Sequence, residues 1–246
     1  MKKALLIGIN YRGTGSALRG CINDVHNVKQ MLLNKGFEEG NIVMLTDDTE
    51  TKPTKNNISA ELAKICASDA NTIYIHYSGH GTQVRDTNHD EPDGKDEAIC
   101  PLDYMHSGMI ADDVIREHLC TVKPGVNVFC VFDACHSGTV CDLGYNIVGR
   151  KGKLIFARDN KYPDTPCNVV TLSGCLDSQV SSDAFIGGQG QGALTHAFLF
   201  AINHAQVQNW GQLYRTVHRI IKKGRFRQHP HLSSGRHIST ANNLFL

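Results

Sequence analysis

The chain has 246 residues, a length that suits one α/β domain with a large core. Its formal net charge of +1 gives no global electrostatic case for binding nucleic acid or an anionic membrane surface, and no apolar run approaches bilayer-spanning length. The 9 cysteines are odd in number, scattered and without a CxxC, and several sit in apolar runs. They point to a reducing, cytoplasmic compartment rather than to a disulfide framework.

Taken in order, residues 3–10 read as a buried strand. The apolar core of MKKALLIGIN is too short for a signal peptide and is cut by Asn10 and Arg12. Residues 11–20 are Gly- and Ser-rich, hence loop. Residues 24–35 carry Val25, Val28, Met31 and Leu32 at helical spacing, and Gly36 stops the helix. A short strand over 41–46 and a second amphipathic helix over 55–67 follow, then a strand beginning at 71. Residues 82–95 are polar, acidic and turn-prone, so a long loop is expected, with a short excursion strand over 97–103 and a helix over 111–122. After the strand at 128, residues 141–166 are the least regular stretch and carry the basic cluster Arg150, Lys151, Lys153, Arg158 and Lys161. A strand over 167–173, a glycine-rich loop over 181–192, helices over 193–205 and 210–223, and a mixed tail with one more strand complete the chain. Alternating strands and helices predict an α/β fold with a mostly parallel sheet and helices on both faces. With no repeat or linker, one domain spans 1–246, divisible into a larger part (1–148), a basic loop (149–166) and a smaller part (167–246).

Two stretches share a design. VFCVFDACHSG (128–138) is a buried-type strand that breaks into small residues around Asp133, Cys135 and His136. NTIYIHYSGHG (71–81) is an apolar strand that ends at Ser78, Gly79, His80 and Gly81. In an open α/β sheet, reactive side chains are held at the carboxyl ends of such strands. If the two strands are parallel neighbours, His80 and Cys135 meet, and a cysteine beside a histidine is the minimal apparatus for thiolate catalysis. A lone strand-end cysteine is more often a small hydrophobe, and it is the paired design that shifts the reading. His136 points away from Cys135 on an extended backbone and is read as structural.

The acidic residues carry ordinary readings too. Asp133 serves as a strand-end cap or, alternatively, as the floor of a pocket for a basic side chain, since a buried carboxylate needs a partner. Asp24 alone reads as a helix N-cap, and Asp112 and Asp113 as acids favoured at a helix start. The spacing Asp86, Asn88, Asp90 imitates an EF-hand, but Glu91 stands where glycine is required. No CxxC or helical HxxxH supports zinc, and His76 and His80 on one strand do not make a site.

Taken together, the motifs resemble a metacaspase. The carrying residues are YSGHGTQ (77–83), DACHSG (133–138), Asp96 and Glu97 with Pro101-Leu102-Asp103, IADD (110–113), LSGC (172–175), GALT (192–195) and QHPHLSS (228–234). They fall in order over nearly the whole chain. Ala134 replaces the more usual serine, and a compact form of the family, without a Pro-rich or zinc-finger extension, is expected.

The resemblance implies a caspase-like three-layer sandwich and a cysteine endopeptidase that cuts protein or peptide substrates after Arg or Lys. His80 would assist Cys135, and the backbone N–H groups of Gly81 and Cys135 would form the oxyanion hole. Asp24, Ser78 and Asp133 match the family's pocket for the basic side chain, where two acids argue against Asp-directed cutting. Asp96, Asp112, Asp113 and Asp142 match its calcium ligands, a hard-oxygen set suited to calcium. The family likeness leans to a monomer, with no nucleic acid or membrane partner. The basic loop is expected to be exposed, mobile and cut by the enzyme itself after Arg150, Lys151, Lys153, Arg158 or Lys161. The competing reading is a non-catalytic caspase-fold binding module or thiol redox sensor, against which the presence of both His80 and Cys135 argues.

Overall fold

The computed structural model describes residues 1–86, 94–135, 140–159, 162–175, 183–186, 189–226 and 228–246. Strand β1 (Lys2–Gly8) buries its last five residues, as its unbroken apolar run requires. Helix α1 (Cys21–Asn34) has no side-chain cap from Gly20. Asn10 supplies the oxygen instead, its Oδ1 accepting from the amides of Cys21 (3.0 Å) and Ile22 (3.4 Å). Gly36, with φ of +80°, turns the chain away. Strand β2 (Ile42–Thr46) leads to α2 (Lys55–Cys66), where the Thr54 side chain accepts from the Asn57 amide. Next is β3 (Thr72–Ser78).

The polar stretch expected to be loop instead opens with β4 (Gly81–Arg85), which pairs antiparallel with β5 (Lys95–Ile99). Residues 87–93, including Asn88, Asp90 and Glu91, lie outside the described residues. After a single turn, α3 (Tyr104–Ser107), β6 (Ile110–Ala111) completes a small three-stranded sheet. Its strands are partly exposed and polar, so they lack the apolar signature of the central strands. The acids of α4 (Asp112–Cys120) stand in its first turn, as expected, and β7 (Asn127–Asp133) follows.

The expectation of a basic loop over 149–166 is corrected by a hairpin, β8 (Tyr145–Arg150) and β9 (Lys153–Arg158). Lys151 (φ +49°) and Gly152 (φ +76°) form its two-residue turn, and positive φ at both positions matches strand twist in such turns. Few side chains point inward, notably Ile147 and Phe156, so little periodicity shows. Outward basic residues are the usual guard of an edge strand. After β10 (Asn168–Cys175), the glycine-rich stretch is also a hairpin, of β11 (Asp183–Ile186) and β12 (Gln189–Gly192). Helices α5 (Ala193–Asn203) and α6 (Trp210–Lys223) and strand β13 (His229–Ser234) end the fold.

The main sheet has eight strands in the order β2-β1-β3-β7-β10-β13-β8-β9. The first five are mutually parallel, and β13 and the hairpin add antiparallel pairings. On one face α1, α5 and α6 pack around Phe129, whose ring lies 5.0 Å from Trp210 and 5.8 Å from Phe198. On the other, α2 and α4 cover Ile73, Ile75, Val128 and Cys130. The three layers place the carboxyl ends of β3 and β7 side by side. No helix among the described residues is long and apolar enough to cross a membrane.

Candidate active site

Strands β3 and β7 pair in parallel up to the rung Ser78–Asp133. His80 and Cys135 each stand two residues beyond that rung, so they emerge at one level of one sheet edge. The chains touch there: a Cβ added to Gly81 would lie 1.9 Å from the Cys135 carbonyl oxygen, so only glycine fits. Both His80 and Cys135 are partly exposed.

The backbone of His80 is clamped by two buried tyrosines. Its amide donates to Tyr11 Oη (3.0 Å), and Tyr77 Oη donates to its carbonyl (2.6 Å). The tyrosine hydroxyls lie 3.0 Å apart, and Tyr11 Oη donates to the Cys100 carbonyl at 2.6 Å. Burial holds both phenols well above their usual pKa, so they stay neutral donors. The Tyr11 ring also lies 4.7 Å from the imidazole. The imidazole Nε2 is 2.7 Å from the Ser16 carbonyl oxygen. A carbonyl only accepts, so Nε2 carries the proton, and in the neutral ring Nδ1 keeps the lone pair a base needs.

Behind the pair lies the acidic set. Asp24, Ser78 and Asp133 are brought together and are all buried. Ser78 Oγ donates to Asp24 Oδ2 at 2.7 Å, the Gly192 amide donates to the same carboxylate at 3.0 Å, and the Thr195 amide donates to Asp133 Oδ2 at 2.7 Å. The start of α5 therefore satisfies both acids, as a helix N-terminus does for anions. A Cβ on Gly192 would lie 2.1 Å from Asp133 Oδ2 and 2.8 Å from Asp24 Oδ2, so the β12–α5 junction roofs the pair. Asp24 is not the cap of α1.

Asp96, from β5, and Asp112 and Asp113, from the start of α4, bring ligand oxygens within 4.8 Å of one another. Asp112 accepts from the amides of Glu97 and Asp113, both at 2.9 Å. Burial, and then the neighbouring Asp142, push its carboxyl up to about 9. Asp142 is itself buried, on the loop that follows Cys135, with its carbonyl held by the Arg116 guanidinium. The three clustered acids, two of them buried, form an all-oxygen set. That fits a hard divalent cation, not zinc.

The remaining expected residues are dispersed. His76 is fully buried, with its ring nitrogens 3.3 Å from the hydroxyls of Tyr74 and Thr195, and burial pushes its pKa down to about 3. Arg150, Lys151 and Lys153 stand at the exposed hairpin tip, whereas Arg158 is bound to Asp164 and Tyr145, each at 2.7 Å. His136 and Lys161 lie outside the described residues. Tyr11, Ser16, Tyr77, Gly192 and Thr195 were not expected in the site. An aromatic residue inside a Gly- and Ser-rich loop was the available signal for Tyr11.

A mostly parallel sheet between helical layers, presenting a histidine and a cysteine at one edge, defines a caspase-type fold. A solved protein of Geobacter sulfurreducens shares it over 99% of both chains, with TM-score 0.66 and 24% identity. The Drosophila initiator caspase Dronc does so with TM-score 0.59 and 11% identity, over 99% of this chain and 82% of its own. The sequence pattern described as metacaspase, peptidase C14 domain, matches residues 2–144. Metacaspase-1 of Lodderomyces elongisporus is 35% identical over 96% of this chain, which spans 65% of that protein's length. Metacaspase-1 of Pyricularia oryzae is 35% identical over 100% of this chain and 74% of its own. The chain belongs to the metacaspase family.

Proposed function

We propose that the chain is a calcium-activated cysteine endopeptidase that cleaves proteins after Arg or Lys. The observation that carries this reading is the level placement of His80 and Cys135, with the imidazole oriented by Ser16. The Cys135 thiol transfers its proton to His80, and the thiolate attacks the scissile carbonyl carbon. The amides of Gly81 and Cys135 receive the oxyanion, and the close backbone approach that only glycine allows at Gly81 brings the two segments together. As the C–N bond breaks, the imidazolium returns its proton to the leaving amine, leaving a thioester on Cys135. His80 then takes a proton from water, which attacks the thioester and releases the acid.

Support for basic specificity comes from two acids, Asp24 and Asp133, buried side by side behind the His80–Cys135 edge, where a cationic side chain would be complementary. In the described arrangement Gly192 roofs them, so entry of a substrate cation requires the β12–α5 junction to move. Asp96, Asp112, Asp113 and Asp142 would hold calcium. When bound, it supplies the positive charge that fixes β5, α4 and the loop after Cys135 relative to one another. Self-processing is assigned to the hairpin tip, at Arg150, Lys151 or Lys153.

Hydrolysis of a fluorogenic Arg peptide, with calcium or chelator and with Cys135→Ala as control, tests the reading. Calcium-dependent turnover lost in Cys135→Ala supports it. No turnover with calcium, in folded protein, favours a binding module.

A further inference from the structure

The net charge of +1 conceals a strong division. All 24 acidic residues lie before residue 184, against eighteen Lys and Arg, giving that part a net charge of −6. Residues 184–246 hold seven Lys and Arg and no Asp or Glu, a net of +7. The fold concentrates this excess on α6. Arg215, Arg219, Lys222 and Lys223 recur at helical spacing on its outer face, all exposed. Among the described residues none of the four forms an ion pair.

An amphipathic helix turns charged residues outward in any case, and a solvated face is the ordinary reading. Two further features argue against it here. Solvated faces usually intersperse both signs, and this one carries a single sign. Beside it the surface is not polar. Phe200 of α5 is 43% exposed and, with Ile220 and Phe226, floors a groove of about 640 Å³ between α5 and α6. Arg219 and Lys223 line that groove, and also a second concavity of about 600 Å³ along the basic face. Cations thus rim an apolar floor.

We propose that the α5–α6 face is a docking site for an acidic peptide segment of a partner protein, anchored by one aromatic or aliphatic side chain. The anchor fills the groove over Phe200, and flanking carboxylates pair with Arg219, Lys223 and Arg215. Guanidinium groups match carboxylates with two parallel hydrogen bonds, and an apolar anchor within a charged rim is the usual anatomy of peptide recognition. A nucleic acid would use the cations but leave the apolar floor unfilled. Phe200 lies seven residues along α5 from Ala193, roughly 10 Å of helix. The segment therefore docks near the acidic pocket without entering it.

The test uses the full chain carrying Cys135→Ala and a short fluorescent peptide rich in Asp and Glu, with one central Phe and no Arg or Lys. Anisotropy should show saturable binding that weakens as salt rises from about 0.05 to 0.3 M. Arg219→Glu with Lys223→Glu should weaken it by about tenfold or more, as should replacing the peptide's acids by amides. Phe200→Ser should weaken it several-fold. Arg215→Gln with Arg219→Gln, a milder change, should give an intermediate loss, and thermal midpoints confirm that each variant is folded. Absence of saturable binding, equal binding by the charge-reversed variant, or equal binding of the neutral peptide overturns the proposal. So does tighter binding of poly(U) RNA or of phosphatidylserine vesicles than of the peptide. None of these readouts depends on peptidase activity.

Discussion

The amide of Thr195 donates to Asp133 Oδ2 at 2.7 Å, tying the first turn of α5 to the end of the strand that leads to Cys135. The same carboxylate therefore has a structural duty and, in the proposed reading, a recognition duty. Asparagine separates them, because its amide oxygen still accepts from Thr195 while its charge is gone. Asp133→Asn should keep the thermal midpoint within a few degrees yet lower kcat/KM on Arg and Lys peptides by about 10²-fold, the scale of one buried charge pairing. Asp133→Ala should lose both. Equal loss of Cys135 alkylation rate and of peptide turnover in Asp133→Asn would mean that the charge serves the nucleophile, not the pocket.

Cys135→Ala should abolish peptide hydrolysis, and His80→Ala should reduce it by about 10²–10⁴-fold. Tyr11→Phe is more informative. It removes the acceptor for the His80 amide and the donor to Cys100 without touching the imidazole. We expect a loss of about 1–3 kcal/mol in urea unfolding, for a buried amide left without its partner, together with a fall in kcat at little changed KM. A changed KM with unaltered kcat would contradict the positioning role.

Calcium should raise the thermal midpoint and restore activity to chelator-treated protein, whereas magnesium, which demands a tighter octahedral shell, should do neither well. Asp113→Ala and Asp142→Ala should each shift the half-activating calcium concentration upward. Full activity in excess chelator would remove the metal from the account.

His76 predicts a pH dependence of stability that can be read without peptidase activity. Burial pushes its pKa down to about 3, below the ordinary histidine value near 6.5. The unfolded chain therefore binds a proton that the folded chain refuses. The contribution is fully present above pH 6.5 and is lost as pH falls from there toward 3, at about 1.4 kcal/mol per pH unit for one proton. Urea midpoints between pH 6.5 and 5, where most carboxylates stay ionised, should fall less steeply in His76→Gln. Identical slopes would show that His76 is not the group responsible.

Self-cleavage should occur after Arg150, Lys151 or Lys153 and not after Arg158, whose guanidinium is held by Asp164 and Tyr145. Strand β8 runs parallel to β7 but three strand spacings away, roughly 14 Å. A paired hairpin does not bend back that far, so cleavage should be between molecules. Its rate per chain, followed by mass spectrometry after calcium addition, should rise with protein concentration. A concentration-independent rate would place the cut within one molecule.

What the sequence made legible follows from burial. The strands ending at Ser78 and Asp133 are continuous apolar runs, and the turns after them are marked by small residues, so the emergence of His80 and Cys135 at one sheet edge was readable. Helix α6 was readable to the residue because Asn209 caps a long periodic stretch. The β8–β9 hairpin was not, since an edge hairpin with few inward side chains looks like a basic loop. The roof over Asp24 was hidden too. It depends on a glycine 168 residues away, whose backbone amide, not its side chain, makes the contact.

The strand order has a further consequence for a chain nicked at Lys151. Reading across the sheet from β7, one fragment owns β7, the other owns β10 and β13, the first owns β8, and the second owns β9. The fragments would alternate like the teeth of a closed zip, with no plane along which they part. Dilution would not separate them, because leaving the partner would mean opening the central sheet. The lifetime of the nicked pair would be that of the folded state itself, set by an unfolding rate and not by an affinity. Size-exclusion chromatography would see one body where a denaturing gel sees two.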